Sequence, residues 1–307
     1  MIHRLITTWN KTNLMKRIAI GIVLGVILAL LFPKASGIGL LGQFFVGGLR
    51  AIAPLLVFAL VANALSQHQK GTETNMKKVI GILGGMGPLA TADLFQKITL
   101  HTAASCDQDH PRVCIDSNTN ISDRTAALLH GGADPVPEMV KSAQRLESIG
   151  ADLLIMPCNT AHNFYDAVAS SVSIPVLHMI AITRDALKSR GVKCAGLLAT
   201  DGTVQTGIYQ RTFEGSGVEL LTPDNAEDQA AVMDIIYNGV KAGDLTHDAT
   251  AFRSACEHLL ARGAEVLILG CTELPPAFDI YHLDYPNVDP TLELALAAVR
   301  AAGCQTK

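Results

Sequence analysis

A motif that occurs twice constrains this chain more than any other feature. Gly150-Ala151-Asp152-Leu153-Leu154-Ile155-Met156-Pro157-Cys158 is answered by Gly263-Ala264-Glu265-Val266-Leu267-Ile268-Leu269-Gly270-Cys271. Each copy holds a short, bounded apolar run, the pattern of a strand covered on both faces. Each ends on a cysteine, and the first is followed by Asn159 and Thr160, residues that start helices. Two more stretches recur in the same order. Lys78-Val79-Ile80-Gly81-Ile82-Leu83-Gly84 corresponds to Lys193-Cys194-Ala195-Gly196-Leu197-Leu198-Ala199, and Ile174-Pro175-Val176-Leu177-His178 to Tyr285-Pro286-Asn287-Val288-Asp289. Strands alternating with helices imply two similar α/β halves, each with a mainly parallel sheet and its functional groups at the carboxyl ends of the strands. Halves related this way can turn those ends toward each other, with Cys158 and Cys271 facing one small cleft from opposite sides.

The charge is unevenly spread. Of 24 basic and 28 acidic residues, seven and one lie before Met76, leaving the body with 17 and 27. From Ile18 to Phe32 every residue is apolar or glycine, and a second apolar region runs from Gly37 to Ala64, interrupted by Gln43, Arg50 and Asn63. Each approaches the roughly 20 residues that cross a bilayer. A transmembrane helical hairpin is the expectation for residues 18–66, with Lys11, Lys16 and Arg17 holding the N-terminus in the cytoplasm and the chain returning there near Lys70. A cleaved signal peptide accounts only for the first stretch. The chain would then sit at the inner or plasma membrane with its body in the cytoplasm; without the leader the body is cytoplasmic. Residues 68–75 form a polar link.

The body has no dense basic patch, and aromatics make up 5% of the chain, which argues against nucleic-acid binding. Its seven cysteines are odd in number and include no C-x-x-C pair, so neither a disulfide framework nor a zinc site is expected. Val79 to Leu83 has the pattern of a strand, Gly84-Gly85-Met86-Gly87-Pro88 that of a turn, and Leu89 to His101 that of a helix. The turn fits neither G-x-G-x-x-G nor a Walker loop, and close backbone approach to a small ligand is its expected use. A thiol and a thiolate on opposite sides of one carbon can remove a proton from one face and return another to the other face, inverting a stereocentre. Cysteine, with an unperturbed pKa of roughly 8.5, is tuned for this by a helix start. Asn159, Thr160 and Thr272 stand where they could stabilise the carbanion, and capping a helix is the equal alternative for each.

Two resemblances follow from these residues. Ile20 to Gly25, Gly39 to Gly42 and Phe45 to Pro54 resemble the first two transmembrane helices of sodium-coupled serine/threonine symporters. That implies a truncated transporter start fused to a whole second protein, hence a membrane anchor or a truncated remnant and not a transporter. The body, residues 77–304, resembles the aspartate/glutamate racemase family through Gly81 to Thr91, Asp123-Arg124-Thr125, Met156 to His162, Leu198 to Thr203, and Gly270 to Glu273. The resemblance implies cofactor-independent racemisation, with Cys158 and Cys271 as acid and base. It further implies that Asn159, Thr160 and Thr272 bind the α-carboxylate, that Met86 lines the site, and that Arg124 and Lys241 grip a distal carboxylate. Ser122 departs from the proline that many members carry before Asp-Arg-Thr.

The fold class expected is therefore α/β, two pseudosymmetric, mainly parallel α/β domains with the active site between them, behind an N-terminal membrane hairpin. The divisions are 1–75, 76–176 joined by 290–307, and 177–289. A free amino acid, aspartate or a relative, is the expected substrate; no cofactor, metal or nucleic acid is expected, and a homodimer is left open. The alternatives are a broad-specificity racemase taking uncharged side chains such as homoserine and, outside enzymes, an inactive transport fragment. His162 could assist proton transfer or be structural, and Glu273 could orient Cys271 or simply favour a helix start.

Overall fold

In the computed structural model the described residues are 77–307, with Ile27, Leu30, Leu31 and Val57 from the leader. Those four are helical and exposed; the rest of the expected hairpin lies outside the described residues. Among the described residues no helix is long and apolar enough to cross a membrane. The chain divides into two units, Met1–Thr74 and Asn75–Lys307.

The second unit contains two parallel sheets. Its first half runs β1 (Ile80–Gly84), α1 (Pro88–His101), β2 (Val113–Ser117), α2 (Arg124–Leu129), α3 (Val136–Ser148), β3 (Leu153–Ile155), α4 (Tyr165–Ala169) and α5 (Met179–Ser189). The second half runs β4 (Cys194–Leu198), α6 (Asp201–Gln205), α7 (Ile208–Phe213), β5 (Glu219–Leu221), α8 (Ala226–Asp234), a π-helical turn (Ile235–Lys241), α9 (Thr250–Ala261), β6 (Val266–Leu269), α10 (Leu274–Ile280), β7 (Asn287–Val288) and α11 (Pro290–Ala301). The strand orders are β2-β1-β3 and β5-β4-β6-β7.

The repeat in the sequence is a repeat in hydrogen bonding. Leu154 N–H donates to Pro175 O at 2.9 Å, and Leu267 N–H to Pro286 O at 2.8 Å. Leu154 bridges to Val176 as Leu267 pairs with Asn287, so Val176 stands in the first sheet where β7 stands in the second. The acids of the motif brace the neighbouring strand: Asp152 accepts from Val79 N–H and Glu265 from Lys193 N–H. A glycine lies at the matching place in each central strand. A Cβ on Gly81 would meet Leu154 Cδ2 at 2.5 Å, and one on Gly196 would meet Leu267 Cδ2 at 3.0 Å. Each leucine can thus lie across its neighbour strand, and burying one such side chain contributes about 1.5–3 kcal/mol.

The halves also exchange their last helices. Leu294, Ala295, Ala298 and Val299 of α11 pack on Ile80, Ile82 and Leu153 of the first sheet. Ile180 and Leu187 of α5 pack on Ala195 and Leu197 of the second. Each helix follows the final strand of its own half and covers the other half's sheet. Three boundaries differ from the sequence expectation. Strand β1 is displaced by one residue toward Gly84, and β3 stops at Ile155, since Pro157 has no N–H to continue the ladder. Helix α1 begins at Pro88, one residue before the expected Leu89, with proline at its first position.

Candidate active site

The motif cysteines lie just past the ends of β3 and β6, and both line one cavity. Met86, Arg124, Asn159, Thr160, Lys241 and Thr272 line it as well, so all eight residues singled out from the sequence are brought together. Asp123, Thr125, Thr200, Tyr237, Gly270 and Glu273 complete the wall. The enclosed space is about 30 Å³, room for a water molecule or two, which is less than the gap expected between the sulfurs. Long side chains from the second half form part of this wall: Lys241 Nζ stands 4.5 Å from the Tyr237 ring centroid and 3.8 Å from Glu273 Oε1.

Backbone geometry aims the first thiol. Cys158 is followed by a 3-10 turn, Thr160–Phe164, in place of a full α-helix. Neither Asn159 nor Thr160 spends its side chain on a cap. Asn159 Oδ1 accepts from the Tyr209 hydroxyl at 2.6 Å, while its Nδ2, buried, has no hydrogen-bond partner among the described residues. Burial holds the Tyr209 phenol far above its ordinary pKa, with the charges of Asp289 and Cys271 adding to the effect, so it remains a donor. The Thr160 hydroxyl lies 2.9 Å from that of Thr203 and 3.3 Å from that of Thr200, a buried cluster joining the two halves.

His162 is structural. Its Nε2 accepts from Met179 N–H at 3.0 Å, which leaves the proton on Nδ1, 2.8 Å from Cys158 O. Burial, then the neighbouring His178, lowers its pKa to about 3. A neutral imidazole with both nitrogens committed carries no proton between substrate and thiol; it fixes the carbonyl of Cys158.

The second thiol differs from the first. Cys271 Sγ donates to Glu273 Oε2 at 2.9 Å, and the Thr272 hydroxyl donates to the same oxygen at 3.2 Å. Burial, then the Glu273 charge, pushes the Cys271 thiol well above its usual range. For Lys241 burial acts to lower the pKa, but Glu273, Cys271, Tyr237 and Cys158 together carry it above the ordinary value, so the ammonium persists. This lysine and Tyr237 share the π-helical turn, a distortion often found at functional sites.

Arg124 begins α2, where Asp123 caps the helix by accepting from Ala126 N–H. Its guanidinium donates to Ile121 O, Ser122 O and Met86 O at 3.0–3.3 Å, and its buried Nε finds no partner among the described residues. In the glycine turn one close approach is to the chain itself. Gly85, at φ +90°, abuts the Asn118 main chain, and a Cβ there would come within 2.4 Å of the Asn118 carbonyl. The neighbouring Met86 lines the cavity and offers its carbonyl to Arg124.

Sequence reasoning did not single out Tyr237 or Tyr209. Tyr237 lies one helical turn before Lys241, a spacing that marks a shared face, whereas Tyr209 meets Asn159 across 50 positions and leaves no local signal.

The family profile of Asp/Glu/Hydantoin racemase matches residues 83–301. The aspartate racemase of Picrophilus torridus superposes with a TM-score of 0.65 at 34% identity, over 75% of this chain and 96% of that one. The Bacillus subtilis broad specificity amino-acid racemase RacX is 29% identical over 225 residues, 72% of this chain and 96% of its own length. A different part of the chain is 62% identical over 79 residues to the serine/threonine transporter SstT of Streptococcus agalactiae, 26% of this chain but only 20% of the transporter.

Proposed function

The chain belongs to the Asp/Glu/Hydantoin racemase family, and from that premise we propose that it inverts the α-carbon of aspartate or a close relative by passing protons between Cys158 and Cys271. It is an isomerase, an amino-acid racemase that works without pyridoxal phosphate. The supporting observation is the pairing of two thiols at corresponding strand ends with two buried N–H donors that lack acceptors among the described residues, Asn159 Nδ2 and Arg124 Nε. Two unpaired donors beside two thiols suit a substrate with two carboxylates.

In this reading Asn159, Thr160 and Thr272 take the α-carboxylate and Arg124 and Lys241 the distal one, while Met86 packs on the backbone of the substrate. A thiolate withdraws the α-proton, and the opposite thiol delivers its own to the other face. The catalytic body comprises 76–176 with 290–307, and 177–289. Chiral chromatography of aspartate incubated with the purified chain tests the proposal. Cys158→Ala and Cys271→Ala should each abolish racemisation, while one enantiomer still exchanges its α-hydrogen with deuterated water; full racemisation by either variant overturns the mechanism.

A second reading, broad specificity, is favoured by the similarity to RacX. Homoserine and aspartate, each assayed with Arg124→Ala, separate the two: loss confined to aspartate assigns the arginine to the distal carboxylate. For the leader we propose a membrane anchor, on its similarity to SstT. Release of the chain from washed membranes by high salt would refute insertion.

A further inference from the structure

We infer that Asp234, His247 and Tyr281 clamp the π-helical turn and thereby hold Lys241 against the catalytic cavity, as positioning residues for the ammonium assigned above to the distal carboxylate. The inference rests on that assignment and goes beyond it by naming what keeps the lysine in place. Lys241 is the last residue of the turn, Tyr237 lies within it, and both line the cavity. A π-helical turn is a rare backbone form, and its persistence over seven residues calls for support from outside the helix.

That support comes from two sides. Ile235 and Ile236 of the turn are buried in one apolar cluster with Leu274, Ala277 and Phe278 of α10. On the polar side Asp234, immediately before the turn, divides its carboxylate. Oδ1 accepts from Asn238 Nδ2 at 2.7 Å within the turn, and Oδ2 accepts from His247 Nε2 at 2.6 Å in the loop beyond it. These two hydrogen bonds hold the Asp234 carboxyl below its ordinary range, so it stays an acceptor for both.

The loop is tied in turn to the end of α10. The Tyr281 hydroxyl donates to Asp244 O at 2.6 Å, and Asp244 N–H donates to Gly239 O at 3.0 Å. Gly239 is where these parts converge: a Cβ there would lie 2.7 Å from Tyr281 Oη and 3.5 Å from His247 Cδ2. The missing side chain is what lets the tyrosine pass over the turn to reach the loop. Asp244 Oδ2 stands 3.9 Å from His247 Nδ1, outside hydrogen-bond range, so the directed bond of the imidazole goes to Asp234. Asp234, His247 and Tyr281 lie off the cavity wall themselves and act through Lys241, which is on it.

The test is NMR of the full chain after reductive methylation of its lysines with isotope-labelled formaldehyde. Lys241 Nζ stands 4.5 Å from the Tyr237 ring centroid, so its methyl groups should resonate upfield of the other lysines through the ring current, a signal assigned by its loss in Lys241→Arg. In Asp234→Ala and His247→Ala that signal should move to the position of the surface lysines. On the unmodified variants KM for aspartate should rise about 10-fold, the effect of one charge-assisted hydrogen bond, with kcat little changed. His247→Gln, whose amide can donate from near the place of Nε2, should restore both the shift and KM. Tyr281→Phe, which removes one oxygen and opens no cavity, should move the signal in the same direction as the alanine variants. A wild type without the upfield signal overturns the inference, and so does an unmoved signal in Asp234→Ala or, if the alanine variants do not fold, in Tyr281→Phe. The shift is read without substrate. If it moves while Lys241→Ala leaves KM for aspartate unchanged, the clamp stands and the assignment of the lysine to the distal carboxylate falls.

Discussion

Removing a single buried oxygen should affect stability and catalysis together. Tyr209 is fully buried, and its hydroxyl is the donor that holds Asn159 Oδ1, at 2.6 Å. Tyr209→Phe keeps the ring in place beside Phe213 and opens no cavity larger than that oxygen. It strands a buried amide oxygen, at a cost of about 1–3 kcal/mol. For a body of this size each kcal/mol lowers Tm by about 2–4 °C, so a fall of roughly 2–12 °C is expected by calorimetry. The freed amide can turn and present oxygen where it had presented Nδ2, placing a lone pair against a carboxylate. On the proposed assignment kcat/KM should drop by about 10- to 100-fold, somewhat less than deletion of a full oxyanion donor. Chiral chromatography at several substrate concentrations gives that value. An unchanged Tm would show that the hydroxyl does not hold Asn159, and a lowered Tm with unchanged kcat/KM would show that Asn159 Nδ2 does not meet the substrate.

Further outcomes follow from particular contacts. His162 is neutral in the folded and unfolded chain above its ordinary pKa of 6.5, but between there and about 3 only the unfolded chain takes up the proton. Stability should therefore fall as pH drops through that window, and His162→Gln should flatten the dependence seen in urea titrations. Thr160→Val removes the 2.9 Å contact with the Thr203 hydroxyl, which keeps its 3.3 Å contact with Thr200, for a loss of about 0.5–1.5 kcal/mol read from the denaturation midpoint. Gly85→Ala drives a Cβ into the Asn118 carbonyl, whereas Gly131→Ala, at φ +64°, meets nothing within 4 Å. The second should cost about 1 kcal/mol in backbone strain alone and the first a good deal more, with soluble yield and Tm as the measures.

How far the sequence was legible depends on the range of each contact. The repeated strands, the helix opened by Pro88 and the cysteines at strand ends were visible because each rests on a pattern within about ten residues. The capping alternative for Asn159 and Thr160 was equally visible and did not apply. Tertiary neighbours, Tyr209 and Thr203, claim those side chains from 50 and 43 positions away. Arg124 looked like a free anion receptor, yet Met86 O, 38 residues away, and two local carbonyls take up part of its fork.

By itself the sequence determined a duplicated α/β body and two thiols in corresponding places, since alternation of apolar strands with helices and the repeat of a motif are properties of the chain in one dimension. Only the tertiary structure decided that each half lends its last helix to the other's sheet and that both cysteines line one narrow cavity. It also decided that a carboxylate faces one sulfur while hydroxyls cluster at the matching position on the other side. Such contacts depend on how whole sheets pack, and the side chains that meet there carry no mark of it in their own neighbourhoods.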